Sequence, residues 1–511
     1  VVWSARRRRE LDEQNPTLPL VPGEVSNGEF VPRSPTPRDR FIAGEVLRRA
    51  DDVARRTGVS RRVFLQSAGG MTLTLGVLNA CSGGGDNARR AGPTTTSGGR
   101  FEVPDPHDAP ACAAALGGSG ELIVDVHTHH VMPDGPWREA APAMVEMIRR
   151  LVPDSCTAPD PLECLDRANY IHDLFLASDT TVAMLTDVPN SGPGDAPVPY
   201  AENLGTAAFA ASLAAGSAPR VLPQIVLSPN FGPIGAALDG VSAQFETGRP
   251  ASFKAYTAWG PGGHGYSLVD PAIGLPMIER IQDLGGRVIC AHKGLPLQGF
   301  DLARNGPDDL VAAAKLFPSL QFVVYHSAYE RELTEGPYDP ARAGRGTSSL
   351  VAALDRHGIP PNANVWCELG TTWREVLSYP NEAAHVLGKL LTRVGQDRVL
   401  WGTDAIWYGS PQPQIMAFRA FEITPELQAQ YGYPALTPDL KRKIFGLNAA
   451  RLLGLDATAT YCGLTQDPLA AARPAAQALA DDALVTPWRA RGPLTRRQVL
   501  TWLRGGGSLT M

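Results

Sequence analysis

The sequence predicts an α/β fold, a (β/α)8 or TIM barrel, on three observations. Short apolar runs ending in a polar residue recur eight times after Glu121, longer amphipathic stretches separate them, and histidines gather at the ends of the runs. The runs are Leu122–Val126, Thr181–Thr186, Val221–Leu227, Ser252–Thr257, Arg287–Ala291, Gln321–Tyr325, Asn364–Glu368 and Val399–Thr403. About 60 residues separate the ends of the first two, roughly twice the ~31 per unit of a typical barrel, so an inserted loop is expected there. Between runs, Ile273, Met277, Ile278, Ile281 and Leu284 keep helical spacing, and Asn448–Leu455 reads as a covering helix ending near Gly454. A doubly wound open sheet is the competing architecture, and chemistry at several strand ends favours closure.

Three regions follow: residues 1–100 as an export signal and flexible tether, 101–456 as the barrel, and 457–511 as a C-terminal tail packed on the barrel or partly loose. With 511 residues and 43% hydrophobic content the chain buries a large core without staples. A net charge of -5 gives no reason to expect a nucleic-acid partner and points to a small-molecule substrate or none. The seven cysteines lack zinc-finger spacing. Oligomeric state is not legible.

Residues 1–58, with Arg6–Arg9 and many prolines, read as largely without regular structure. Ser60-Arg61-Arg62-Val63-Phe64-Leu65, followed by a mildly apolar stretch to Ala80, resembles a twin-arginine export signal. Leu78-Asn79-Ala80-Cys81 resembles a lipoprotein processing site, with Asn79 unusual for the pattern. The expectation is a periplasmic or cell-surface protein, with membrane anchoring through a lipidated Cys81 left open. A poorly packed N-terminal helix is the alternative. In an exported chain Cys156 and Cys164 are candidates for a disulfide, whereas Cys290 and Cys367 fit buried thiols.

The chemistry starts at Asp125-Val126-His127-Thr128-His129-His130. His127 and His129, two apart on a strand, leave it on one side and can share a divalent ion, or form a polar patch. His292, His326 and Asp404 end the fifth, sixth and eighth runs, and a barrel brings all these positions to one mouth.

Together with Cys290-Ala291-His292, Val324-Tyr325-His326, Gly402-Thr403-Asp404 and Gly446-Leu447-Asn448-Ala449-Ala450-Arg451-Leu452-Leu453, this pattern resembles the amidohydrolase superfamily, and within it the family 2 branch, over roughly Leu122 to Leu455. The resemblance implies that His127, His129 and Asp404 bind the more buried metal, that His292 is a further ligand, and that His326 binds a second metal or orients water or substrate. It makes Asp404 the group that takes a proton from the metal-bound water. Lys254, in Ser252-Phe253-Lys254-Ala255-Tyr256, looks like the lysine that is carboxylated to bridge two metals in hydantoinase-like members; pairing with a carboxylate or binding substrate is the other reading. The cofactor expected is a divalent metal, zinc before others, as one or two ions.

A zinc-like ion lowers the pKa of bound water to about 7, and a carboxylate can shuttle its proton. The expected activity is hydrolysis of an amide, lactone or ester of a small molecule. Nonoxidative decarboxylation of an unsaturated or aromatic acid is the alternative, and a binding protein that has lost catalysis is a third reading. Asp187, Tyr256, Trp259, His264, Lys293, Tyr329, Glu368 and Trp407 are candidate pocket residues, Glu368 foremost because an unpaired carboxylate ending a buried strand is costly. His130 is a candidate to support the ligands, and His107, His172, His357 and His385 read as ordinary.

Overall fold

The computed structural model describes residues 18–26, 31–81 and 98–482, apart from short breaks at 119, 150–151, 153–155, 157, 216–217 and 298, together with 495–497 and 500. Arg6–Arg9, most of the expected tether (82–97) and most of the chain after 482 lie outside them.

Eight parallel strands form one sheet in chain order: β2 (Val124–Thr128), β3 (Val182–Leu185), β4 (Val221–Leu227), β5 (Ser252–Ala255), β6 (Val288–His292), β7 (Gln321–Tyr325), β8 (Val365–Glu368) and β9 (Val399–Leu400). Every expected run holds one strand. First and last strands meet along Val126 N to Trp401 O (3.1 Å), Asp404 N to His127 O (2.9 Å) and the Thr128–Ala405 bridge, which closes the barrel and rules out the open sheet.

Alternation along each strand sorts the core into two layers. Val288, Cys290, Val323, Tyr325 and Trp366 face the barrel interior, while Ile289, Ala291, Phe322, Val324 and Val365 face the surrounding helices. The β2–β3 register slips by one residue between Asp125 and Thr128. This bulge reverses the parity of β2, so that His127 and His129 join the interior although Asp125 precedes them by an even step.

The insertion between β2 and β3 carries the Cys156–Cys164 disulfide. Cys290 and Cys367 are buried thiols. The covering helix Asn448–Leu453 ends on Gly454, whose φ of 69° is left-handed.

Residues 37–80 correct the expectation of a structureless leader. Helix α1 (Pro37–Thr57) begins with Pro37 at its first position and a reciprocal cap between Thr36 and Asp39, and it buries Ile42, Val46, Ala50 and Val53. The short α2 (Arg61–Leu65) leads to α3 (Ala68–Ala80), where Met71, Leu73, Leu75, Val77 and Leu78 are all buried. Proline content misled the reading because the prolines sit before Pro37, leaving the 3.6-residue apolar stripe that follows intact. Asn79 donates Nδ2–H to Phe101 O (2.6 Å) and accepts from Phe101 N (2.8 Å). The last residues of the expected tether form β1 (Gly99–Phe101), antiparallel to β10 (Phe421–Ile423).

The chain after 456 is anchored too. Helix Ala457–Leu464 and helix Pro468–Asp482 follow the barrel, and Asp467 makes a two-point ion pair with the buried Arg220 at 2.6 Å through both Nε and Nη2.

Candidate metal centre

At the C-terminal ends of the strands lies a solvent-open cavity. His127, His129, His292, His326 and Asp404 all line it; Lys254 does not. The register explains the difference. Lys254 pairs with Cys290 and Ala255 with Ala291, so Tyr256 stands level with His292 and Lys254 sits one interior layer below. Its Nζ lies over the face of Tyr325, 3.5 Å from the ring centroid, fully buried and without a hydrogen-bond partner. Burial lowers its pKa to about 7, against the pull of Glu368, so the amine sheds its charge near neutrality.

Glu368 supports the ligands from behind. Its Oε1 stands 3.1 Å from His127 Nδ1 and accepts the His326 amide at 2.6 Å, while Oε2 accepts the Gly370 amide. Burial nevertheless pushes the carboxyl up to about 8. Glycine at 370 and 402 makes room for it: a Cβ at either position would come within 2.6 Å or 2.2 Å of Oε2. A carboxylate on Nδ1 fixes the tautomer that leaves His127 Nε2 as a donor atom.

That Nε2 faces Asp404 Oδ1 at 3.5 Å, and His129 Nε2 faces the same oxygen at 3.1 Å. Burial would raise Asp404, but hydrogen bonding and charge from His129, the charge of His326 and the Thr371 hydroxyl outweigh it and hold it well below the usual carboxylate range. Thr371 donates to Oδ2 at 2.6 Å.

The remaining pair gives the test of fit. His292 Nε2 meets the carbonyl of Leu295 (3.1 Å) and His326 Nδ1 meets that of Gly370 (2.8 Å). Carbonyls only accept, so both nitrogens carry hydrogen. His292 Nδ1 and His326 Nε2 are left 3.2 Å apart, lone pair toward lone pair. Burial lowers the pKa of both rings, His326 to about 4, which disfavours a proton as the solution. A divalent cation satisfies these atoms, since ligands ~2.1 Å from one ion stand roughly 3.0–3.5 Å apart. The donor set is therefore that of a divalent-metal site.

The backbone around it is strained: Leu295, His326, Ser327, Ala328, Thr371 and Asp404 all have positive φ, between 36° and 63°. Such conformations cost of order 1–3 kcal/mol each and persist where surrounding structure enforces them.

Of the candidate pocket residues, Tyr256 and Trp407 line the cavity, with Trp407 stacked on His129 (5.3 Å, 24°). Trp259, His264, Lys293 and Tyr329 are not in its lining, and Lys293 pairs instead with Asp309 at 2.6 Å. Asp187 accepts the Val188 and Val198 amides and shapes the loop after β3. His130 points to Thr206 (2.8 Å) and Tyr170, away from the donors. His385, read as ordinary, is buried against Tyr433.

Sequence reasoning missed Thr371 and Arg331. Both follow a strand end by a few residues, a signal too general to single them out. Asp125, quoted without a role, clamps the barrel seam by accepting Thr403 N (3.1 Å) and Thr403 Oγ1 (2.5 Å).

A closed barrel with a three-histidine, one-aspartate cluster at its mouth, backed by a fourth histidine, defines the class: a metal-dependent barrel enzyme. The family model described as Amidohydrolase (Amidohydro_2) matches residues 124–455, and the chain belongs to that family. No curated protein matches the chain. Similar solved structures include an uncharacterized TIM-barrel protein from Bordetella bronchiseptica (15% identity, 65% of this chain and 98% of that chain, TM-score 0.43). Another is 5-carboxyvanillate decarboxylase from Sphingomonas paucimobilis (13% identity, 65% and 99%, TM-score 0.40). A third is 2,6-dihydroxybenzoate decarboxylase from Rhizobium (14% identity, 66% and 99%, TM-score 0.39).

Proposed function

We propose that the chain is a divalent-metal-dependent decarboxylase that removes carbon dioxide, without net oxidation, from a small unsaturated or aromatic acid. The position of Lys254 carries this reading. Beneath the cavity floor and against Tyr325, it is not one of the groups lining the cavity, and the other five side chains form one compact donor cluster suited to a single ion. The hydrolytic expectation rests on a metal-activated water with Asp404 as its proton carrier, and a carboxylated Lys254 between two ions would have strengthened it.

His127, His129, His292, His326 and Asp404 would hold the ion, zinc by the nitrogen-rich donor set, and when bound it supplies Lewis-acid polarisation of a substrate oxygen. Asp404, with Oδ2 held by Thr371, is the proton carrier. As the carbon–carboxylate bond breaks, its electron pair stays on carbon and a proton drawn from solvent is relayed there by Asp404, itself ionised at rest, so R–COO⁻ and H⁺ become R–H and CO2. Val188, Leu295, Leu297 and Trp407 give the apolar wall that a planar acid requires.

Hydrolysis of an amide, lactone or ester is the second reading. The contact of Asp404 with His129 favours it, since the same carboxylate could move a proton from water to a leaving group.

The test is metal content of the purified full chain, the intact mass around Lys254, and a paired screen for CO2 release from aromatic and unsaturated acids and for hydrolysis of cyclic amides, lactones and esters. One ion per chain, unmodified Lys254 and CO2 release are expected. Two ions, a carboxylated lysine and hydrolysis would overturn the proposal in favour of the second reading.

A further inference from the structure

Among the described residues lining the cavity, one carries a permanent positive charge: Arg331, five residues beyond His326. Its surroundings come from a distant part of the chain. Glu24, in the segment before α1, places Oε1 3.9 Å from Arg331 Nε and Oε2 2.6 Å from Arg33 Nε. Arg33 in turn donates Nη2–H to the Arg331 carbonyl at 3.0 Å, and Glu332 stands 3.4 Å from Arg331 Nη2. The Glu24 and Arg331 side chains keep only 9% and 12% of their surface exposed.

Holding charges this enclosed is expensive unless each is matched. Carboxylates 3.9 Å from its Nε and 3.4 Å from its Nη2 bias the orientation of the guanidinium of this cavity-lining residue. A planar fork of this kind matches a carboxylate bidentately. The rest of the lining, Tyr256, Leu295, Leu297 and Trp407, suits the flat apolar body of such an acid.

We propose that Arg331 is the specificity-determining residue that takes the carboxylate of an aromatic or unsaturated acid, and that Glu24, brought to the rim by the N-terminal segment, is a positioning residue for its guanidinium. This rests on the decarboxylase reading, and it is tested by binding so that the two fail separately.

The probes are benzoate and its neutral counterpart benzamide, titrated by calorimetry into the metal-loaded full chain, with metal content and thermal melts recorded for every variant. Arg331→Met is expected to weaken benzoate by about 10- to 100-fold, the range of a lost charge-assisted contact, and benzamide by no more than about 2-fold. Arg331→Lys retains the charge without the fork and is expected to fall between, which keeps the test informative if the methionine variant does not fold. Glu24→Gln is expected to weaken benzoate about 3- to 5-fold, and to have no further effect in the Arg331→Met background.

Absence of benzoate binding to the wild type, equal loss for both probes in Arg331→Met, or an unchanged benzoate affinity in Glu24→Gln overturns the proposal. Discrimination between the probes without any CO2 release would leave the anion site standing and remove the decarboxylase reading instead.

Discussion

Asp467→Asn isolates what ties the C-terminal helices to the barrel. The asparagine keeps the side-chain oxygen that accepts the Ala470 amide (2.8 Å), so the start of helix Pro468–Asp482 stays capped, but the charge facing Arg220 disappears. Arg220 still donates to the Thr181 and Leu464 carbonyls (3.1 and 2.8 Å), and with its side chain only 4% exposed it has no route to water. Removing one partner of a buried pair costs about 3–5 kcal/mol. At roughly 2.1 cal/mol/K per residue, a folded unit the size of residues 98–482 has an unfolding entropy of about 0.8 kcal/mol/K, so Tm should fall by roughly 4–6 °C.

Differential scanning fluorimetry measures this directly. Replacing both partners, with Arg220→Met and Asp467→Leu, should recover all but about 1 kcal/mol, the residue being the lost cap. A shift below about 1 °C for Asp467→Asn, or a double variant as unstable as the two single variants summed, would refute the account of an enclosed, mutually dependent pair.

Four further outcomes are expected. Thr371→Val should lower kcat about 10- to 100-fold with metal content unchanged, because Asp404 Oδ2 loses the hydroxyl that donates to it at 2.6 Å; steady-state kinetics with metal analysis checks this. His385 is held neutral by burial, at about 4 against 6.5, so the unfolded chain binds more protons between those values and stability should fall by up to about 3 kcal/mol as pH drops from 6.5 to 4; His385→Phe should flatten that part of a denaturation series. Chelation of the ion should lower Tm, and restoring it at about 100 times its Kd should return about 2.7 kcal/mol, read by thermal melts with and without chelator. Deleting residues 1–81 should expose the faces that Leu73, Leu75 and Leu78 cover, and size-exclusion chromatography should find aggregate in place of the wild-type peak.

The barrel was legible because strand patterning repeats: each apolar run reports its own strand whatever its neighbours do. The histidines and Asp404 were legible because strand ends converge in a closed barrel. Lys254 was not, since its layer depends on the register between β5 and β6, a relation between strands that no single strand states. The bulge that turns His127 and His129 inward is likewise a property of the β2–β3 pair. Arg331 depends on a contact with Glu24, some three hundred residues away, and α1 was hidden because prolines just ahead of it weighed against the apolar stripe behind.

Helix α3 is a folded element that follows directly on the stretch resembling an export signal. Its flanking Arg61-Arg62-Val63-Phe64-Leu65 resembles an address that an export receptor reads, yet Phe64 and Leu65 are buried and the apolar residues behind them are sealed against the barrel's accessory layer. Once Asn79 is zipped to the Phe101 backbone, the apolar half of that lettering is covered, while Arg61 and Arg62 stay partly exposed and Val63 faces outward. Were a receptor to read this stretch, its window would be the interval between synthesis and docking. A substitution that slows docking, such as Asn79→Ala, would lengthen the interval, and one that tightens it would shorten it, without altering a letter of the address itself.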